Sequence, residues 1–453
     1  MTSLARWQDV DVVARALRAG GLDDEVTAKA QRFASAARRL AEHLSDDTPA
    51  QAWFVPGRIE VLGKHTDYCG GHSLTAAVAR GFCVVASARD DTALNLYALD
   101  EDDEVSATLD PELQPSPGAW SNYPLTVARR LARNFPNCCR GADLAFSSDL
   151  PAAAGMSSSS ALIVATYLVM ASINDLEASS LFRDNIRTDF ERADYLGTVE
   201  NGQTFRDLEG DRGVGTFGGS EDHTAILCSQ ANALAEYTYC PTRFRRHVEL
   251  PAEWLFVIGV SGVVAEKTGQ AQMLYNRASQ LVQAIVDCWR AAGGSETYLA
   301  HILQSEERYR ALQQAIDTPP SPVFPTNSLH QRLEHYRREM TVLSAATDAL
   351  ESSAFDEFAV FVAHSQQLSE ELLNNQVEET VVLCRLAVEA GALTASAFGA
   401  GFGGSVWALV RRSQMPIVVE AWATAYRRAF PCRAEASQFF TTPAGPPAFA
   451  LSM

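Results

Sequence analysis

One stretch limits what this chain can fold into more than any other: Leu150-Pro151-Ala152-Ala153-Ala154-Gly155-Met156-Ser157-Ser158-Ser159-Ser160-Ala161. Residues Ala142 to Ser148 before it have strand character, and Ala161-Leu162-Ile163-Val164-Ala165-Thr166-Tyr167-Leu168 after it reads as a buried helix. A helix that begins on glycine and serines offers unpaired backbone N–H groups, hydroxyl donors and the positive end of its dipole, a combination that holds phosphate. In isolation the same turn is an ordinary serine-capped core helix. Two further glycine-rich loops decide between these readings.

The first is Pro56-Gly57-Arg58-Ile59-Glu60-Val61-Leu62-Gly63-Lys64-His65-Thr66-Asp67-Tyr68-Cys69-Gly70-Gly71, a short strand leading into a polar loop closed by glycines. It is close to a Walker A loop without being one. Gly57 and Gly63 are one residue too far apart, and His65 stands where a Mg²⁺-binding hydroxyl should follow the lysine. The apolar runs on either side suggest that it rises out of the core. The other loop, Ser396-Ala397-Phe398-Gly399-Ala400-Gly401-Phe402-Gly403-Gly404-Ser405, has glycines spaced for close backbone approach and runs into the strand Val406 to Val410.

With 453 residues the chain is long enough for two or three domains. Its net charge of −18 excludes a general nucleic-acid or anionic-lipid surface, so any anionic ligand needs a local site. The nine cysteines are Cys69, Cys83, Cys138, Cys139, Cys228, Cys240, Cys288, Cys384 and Cys432. They are odd in number and lack paired C-x-x-C spacing, which points to reduced thiols in a cytoplasm rather than to a disulfide framework or zinc site. No signal peptide and no run as long as a membrane span is present, so no membrane partner is expected. The expected partners are small molecules, with the chain a monomer or weak homo-oligomer.

Helical spacing predicts helices over residues 24–45, 123–135, 188–198, 268–291, 300–316, 328–351 and 355–374. Strands are expected at 82–88, 94–98 and 254–260, with a surface loop at 111–121 and an exposed Pro-rich linker at 318–325. A glycine-rich approach, Gly210 to Ser220, leads to the acidic pair Glu221-Asp222. The interruption around Pro241-Thr242-Arg243 sets the expected domain boundary, giving residues 1–245 and 246–453.

Taken together, the three loops resemble the GHMP small-molecule kinases, and within them the galactokinase branch. The first motif of that branch, P-G-R-x-N-x-x-G-E-H-x-D-Y-x-x-G, finds Pro56, Gly57, Arg58, Gly63, His65, Asp67, Tyr68 and Gly71 in register. The second, P-x-x-x-G-L-S-S-S-A-A, corresponds to Pro151 through Ala161, and the third, G-A-G-F-G-G, is Gly399 to Gly404 without a mismatch. Weaker echoes are Tyr275-Asn276-Arg277 and His364-Ser365. The resemblance implies an α+β, two-domain GHMP kinase fold, with a ribosomal-protein-S5-like N-terminal domain, a C-terminal α+β domain and the active site between them. It implies ATP and Mg²⁺ as cofactors. Pro151, Gly155, Met156, Ser157, Ser158, Ser159, Ser160, Gly401 and Gly403 would hold the nucleotide, and Ser158 with Glu200 the metal. Asp222 would take the catalytic aspartate position with Arg58 paired to it. Lys64, His65, Asp67, Gly219 and Tyr275 would line the sugar site.

Departures from the pattern bear on the substrate. Lys64 stands where galactokinases have Glu, and Glu60 where they have Asn. Gly219-Ser220-Glu221-Asp222-His223 replaces the usual G-I-M-D-Q, and the stretch from Glu200 to Asp222 is longer than in galactokinases. The leading expectation is an ATP-dependent kinase acting on the anomeric hydroxyl of galactose or a related monosaccharide. The alternatives are a kinase for a uronic acid or other modified sugar, in which Lys64 meets the carboxylate, and a sugar- and ATP-binding regulator without catalysis.

Overall fold

A computed structural model describes residues 2–137, 140–264, 269–320 and 323–452. Cys138, Cys139, Thr268 and part of the Pro-rich linker therefore lie outside the described residues. The strands, in chain order, are β1 (Thr2–Ser3), β2 (Pro49–Leu62), β3 (His72–Ala88), β4 (Ala93–Ala98), β5 (Asp103–Thr108), β6 (Ala142–Ser148), β7 (Ala233–Thr238) and β8 (Arg243–Glu249). After a change of sheet come β9 (Trp254–Val260), β10 (Thr394–Ala397), β11 (Ser405–Arg411), β12 (Gln438–Thr442) and β13 (Phe449–Ala450).

The first sheet runs β1-β2-β3-β6-β4-β5, with β7 on β3, β8 on β7, and the terminal β13 returning to pair with β2. Its central strands β2, β3 and β6 are buried almost throughout because both faces are covered, whereas β5 and β8 are largely polar and exposed. Along β2, Trp53 and Val55 enter one core cluster while Phe54 enters another; along β3, Val84 and Ala86 face the first and Cys83 and Val85 the second. This is the two-residue alternation of a strand sandwiched between helices. The helices Val10–Ala19 and Val26–Ala41 cover the outer face, and the serine-led helix Ser158–Ile173 covers the inner one. Ser158–Ile173 is apolar around its whole circumference, as a helix buried on all sides must be.

The second sheet, β10-β11-β9-β12, is antiparallel. Leu255 and Val257 point to the helices Glu378–Glu389 and Met415–Ala429, whereas Trp254, Phe256, Ile258 and Val260 point toward Thr326–Glu351 and Phe355–Leu368. The latter side chains belong to the same core cluster as the inner face of the first sheet. The two sheets thus share one core, and the three motif loops come together at its edge. The helix expected over 300–316 is two pieces, Leu299–Ile302 and Glu306–Asp317, and that over 355–374 ends in a π turn, Ser369–Leu373. Among the described residues no helix is long and apolar enough to cross a membrane.

Candidate active site

The serine turn has the backbone that its sequence calls for. Ala153, Gly155 and Ser157 have φ of 48°, 75° and 58°, so left-handed residues alternate with others along the turn. Such alternation turns successive N–H groups toward one side, forming an anion-binding concavity at the head of Ser158–Ile173. For Ala153 and Ser157 a positive φ is uncommon, and it persists where the surroundings hold it. Here the third loop does so. Ser405 Oγ donates to Ala154 O at 2.6 Å, and a Cβ on Gly399 would lie 2.8 Å from Gly155 O.

The first loop meets the same turn from the other side. Arg58 N–H donates to Met156 O, and its Nη1 donates to Gly155 O at 2.7 Å. The Nε and Nη2 of Arg58 both lie 2.7 Å from Asp222 Oδ1, and Nε lies 3.9 Å from Glu221. Ser160 Oγ donates to Glu200 Oε2 at 2.8 Å and reaches Asp222 Oδ2 at 3.3 Å. Residues 164 apart in sequence thus form one buried network. The added length between Glu200 and Asp222 does not separate them, because the stretch folds back: Val214 N–H donates to Glu200 O at 2.8 Å.

These groups line a cleft of about 790 Å³. At one end lie Arg58, Glu60, His65, Asp67, Tyr68, Gly219, Glu221, Asp222 and Tyr275. The Asp67 carboxylate accepts N–H groups from Tyr68, Glu221 and Gly219. His65 shares a hydrogen bond with Tyr68 Oη at 3.0 Å, and its Nε2 faces Ala400 O at 3.2 Å. The Tyr275 ring lies 5.5 Å from that of His65. At the other end Phe82, Trp120, Tyr123 and Phe146 supply aromatic walls, with Trp120 edge-on to Phe146 and its Nε1 donating to Asp103 at 2.8 Å.

Charge is unevenly distributed. Burial works against the Arg58 cation, but Asp222, Glu221 and Glu60 outweigh it and hold the guanidinium above its ordinary range. Burial pushes Glu60 up to about 7, against the pull of Arg58 and Lys64 and with help from Asp222 and Glu339. Burial, with Glu60 and Asp67 alongside, likewise pushes Glu221 well up.

Several expected residues sit differently. Lys64 does not line the cleft; it is fully buried, and its Nζ donates to Ser396 Oγ at 2.8 Å and faces Ser365 Oγ at 3.4 Å. Packing against the second sheet turns it away from the site. The serine bonded to Glu200 is Ser160, not Ser158, because the helix phase directs position 160 inward while Ser158 and Ser159 face the cleft. Of the third loop, Gly399 and Ala400 line the cleft; Gly401 packs on Asn375 and Gly403 on Val263. Pro151 and Met156 do not line it, and Met156 is core. Of the weaker echoes, His364 is exposed and Ser365 is buried against Glu339. Glu60, Glu221 and Trp120 were not anticipated. The departures from the family pattern at positions 60 and 221 were their only sequence signal, and Trp120 had none beyond an aromatic in a Pro-rich loop.

Two family models match: the galactokinase galactose-binding signature over residues 40–88 and the GHMP kinases N-terminal domain over 122–191. A galactokinase of Actinobacillus pleuropneumoniae serotype 3 is 35% identical over 144 residues, 32% of this chain and 37% of that relative's length. One from Exiguobacterium sibiricum is 26% identical over 400 residues, 86% of this chain and 91% of the relative. Among solved structures, Lactococcus lactis galactokinase complexed with galactose superposes with a TM-score of 0.74 at 22% identity, covering 91% of this chain and 98% of that one. L. major mevalonate kinase in complex with R-mevalonate reaches 0.54 at 14%, covering 87% and 95%. Residues 40–88 thus match the galactokinase galactose-binding signature and residues 122–191 the GHMP kinases N-terminal domain, on a fold like that of the galactokinase structure.

Proposed function

We propose that this chain is an ATP-dependent kinase that phosphorylates the anomeric hydroxyl of galactose or a close relative. The observation that carries the reading is the Arg58–Asp222 pair, set at 2.7 Å between the serine turn and the carboxylate-lined end of the cleft. Phosphoryl transfer asks a protein mainly for positioning and electrostatics. The turn at Gly155 to Ser159 presents N–H groups to the nucleotide's phosphates, and the aromatic end with Trp120 and Tyr123 takes its base. Asp222 accepts the proton of the anomeric hydroxyl as that oxygen forms its bond to the terminal phosphorus and the bond to the departing ADP oxygen breaks. Arg58 holds the carboxylate in place and offsets charge on the transferring group. His65, Asp67, Gly219 and Tyr275 form the sugar side.

The residues present also suit Mg²⁺. Glu200 and the serines facing the cleft, Ser158 and Ser159, supply hard oxygen donors on its wall. Among the described residues no group of three or more His, Cys, Asp or Glu forms a cage. That suits an ion bound by one or two protein groups together with the nucleotide's phosphates. When bound, it would neutralise phosphate charge. Glu200 and the cleft-facing Ser158 are the residues proposed to hold it.

The uronic-acid alternative finds no support, since the cation on which it relied, Lys64, is buried away from an otherwise acidic wall. The regulator alternative is opposed by the intact Arg58 and Asp222. We also propose that the chain forms the two domains of such a kinase, divided near the expected boundary at 245/246, with β8 and the terminal β13 completing the first sheet. The seven described cysteines are all free, which fits a cytoplasmic setting. The test is ADP release from Mg-ATP across free neutral sugars and sugar acids. Turnover led by galactose or a close relative is expected; release no greater than without sugar refutes the reading.

A further inference from the structure

Glu60 stands at the sugar end with a buried carboxylate oxygen that no hydrogen bond occupies. It shares a face of β2 with Arg58, is 3% exposed, and lines the cleft, yet its Oε1 is sealed from solvent with no partner. A buried carboxylate oxygen in that state demands a donor. The surrounding charge says what kind. Glu60, Asp67, Glu221 and Asp222 all line this end, against one guanidinium. That guanidinium, Arg58, is already committed to Asp222 and Gly155 O. Lys64, the nearest other cation acting on Glu60, points to Ser396. Burial, with Asp222 and Glu339 adding to it, holds the Glu60 carboxyl above the usual carboxylate range despite Arg58 and Lys64, and a cation joining it would favour its charged form. A neutral sugar brings hydroxyl donors but no charge. An ammonium group brings three donors and the missing positive charge, and hydrogen bonds between ionised partners are the stronger kind.

Resting on the kinase reading above, we propose that Glu60 is a specificity-determining residue that receives an ammonium group of the sugar. The acceptor class is then an aminohexose rather than a neutral hexose. Glu60 lies inside the galactose-binding signature, residues 40–88, at the position where that branch carries an uncharged Asn. The exchange therefore places new charge at the sugar end.

The experiment compares kcat/KM with Mg-ATP for 2-amino-2-deoxygalactose, its N-acetyl derivative and galactose, in wild type and in Glu60→Gln and Glu60→Asn. Urea unfolding of each variant confirms folding. Wild type is expected to favour the free amine over galactose by at least about tenfold, mainly through KM. Acetylation, which removes the charge, should erase the advantage, and both variants should lose it. Galactose turnover with a sugar ranking unchanged by either variant overturns this proposal alone. Absence of ADP release with any of the three sugars in wild type overturns it together with the kinase reading.

Discussion

Replacing Asp222 with Asn keeps the side chain's shape and removes its charge, and the structure sets two effects against each other. On the catalytic side, the lost carboxylate is the proton acceptor, and removal of such a base costs about 10²- to 10⁴-fold in rate, or about 3–5 kcal/mol of transition-state stabilisation. On the stability side, breaking a buried ion pair at one partner ordinarily costs about 3–5 kcal/mol, because the other charge is left alone. That second figure does not apply here. Arg58 retains Glu221 at 3.9 Å and the influence of Glu60. Asp222 also repels three neighbouring carboxylates, Glu60, Asp67 and Glu221, and that repulsion ends with the substitution. Asp222→Asn should therefore lose at least about 100-fold in kcat while losing less than about 3 kcal/mol in unfolding free energy. ADP release, calorimetry with Mg-ATP and urea unfolding measure the three quantities, with nucleotide affinity expected to hold. A kcat above a tenth of wild type refutes the base assignment. Inactivity accompanied by the full stability loss would mean that the residue acts through the fold.

Gly155→Val places a β-branched residue at φ 75° and 3.3 Å from Phe398 O, on the turn that faces phosphate. It should weaken Mg-ATP binding by calorimetry more than about tenfold, with a strain cost near 1–2 kcal/mol. Lys64→Met should lower unfolding free energy by about 1–3 kcal/mol and leave the ranking of sugars unchanged, since Lys64 serves Ser396 and not the cleft. Glu60 is held near 7 against an ordinary 4.5. Its contribution to stability is thus complete below about pH 4.5 and is lost as pH rises through about 7, a decline of about 3 kcal/mol. Urea unfolding at pH 5 and pH 8 should show wild type falling relative to Glu60→Gln by an amount of that order.

Backbone-determined features were the legible ones. The serine turn, the strand Ala142–Ser148, the buried helix after it and the strand Trp254–Val260 all follow from local pattern, and their positions agree with expectation. Side-chain direction was not legible, because distant elements set it. The turn of Lys64 away from the cleft depends on Ser396, 332 positions later. The choice of Ser160 over Ser158 depends on how Ser158–Ile173 is rotated against Glu200. Four consecutive serines carry no signal of that rotation. Trp120 enters the cleft because its loop packs on Phe146 of β6, a contact no local pattern encodes.

The central claim is transfer of a phosphoryl group to the anomeric oxygen, and the most direct measurement is phosphorus NMR of the product formed from Mg-ATP and sugar. Using the sugar with the highest kcat/KM, the account predicts one new resonance, coupled to the anomeric proton, in equal amount to the ADP formed. A phosphate coupled to any other sugar proton, or ADP without phosphorylated sugar, would contradict it.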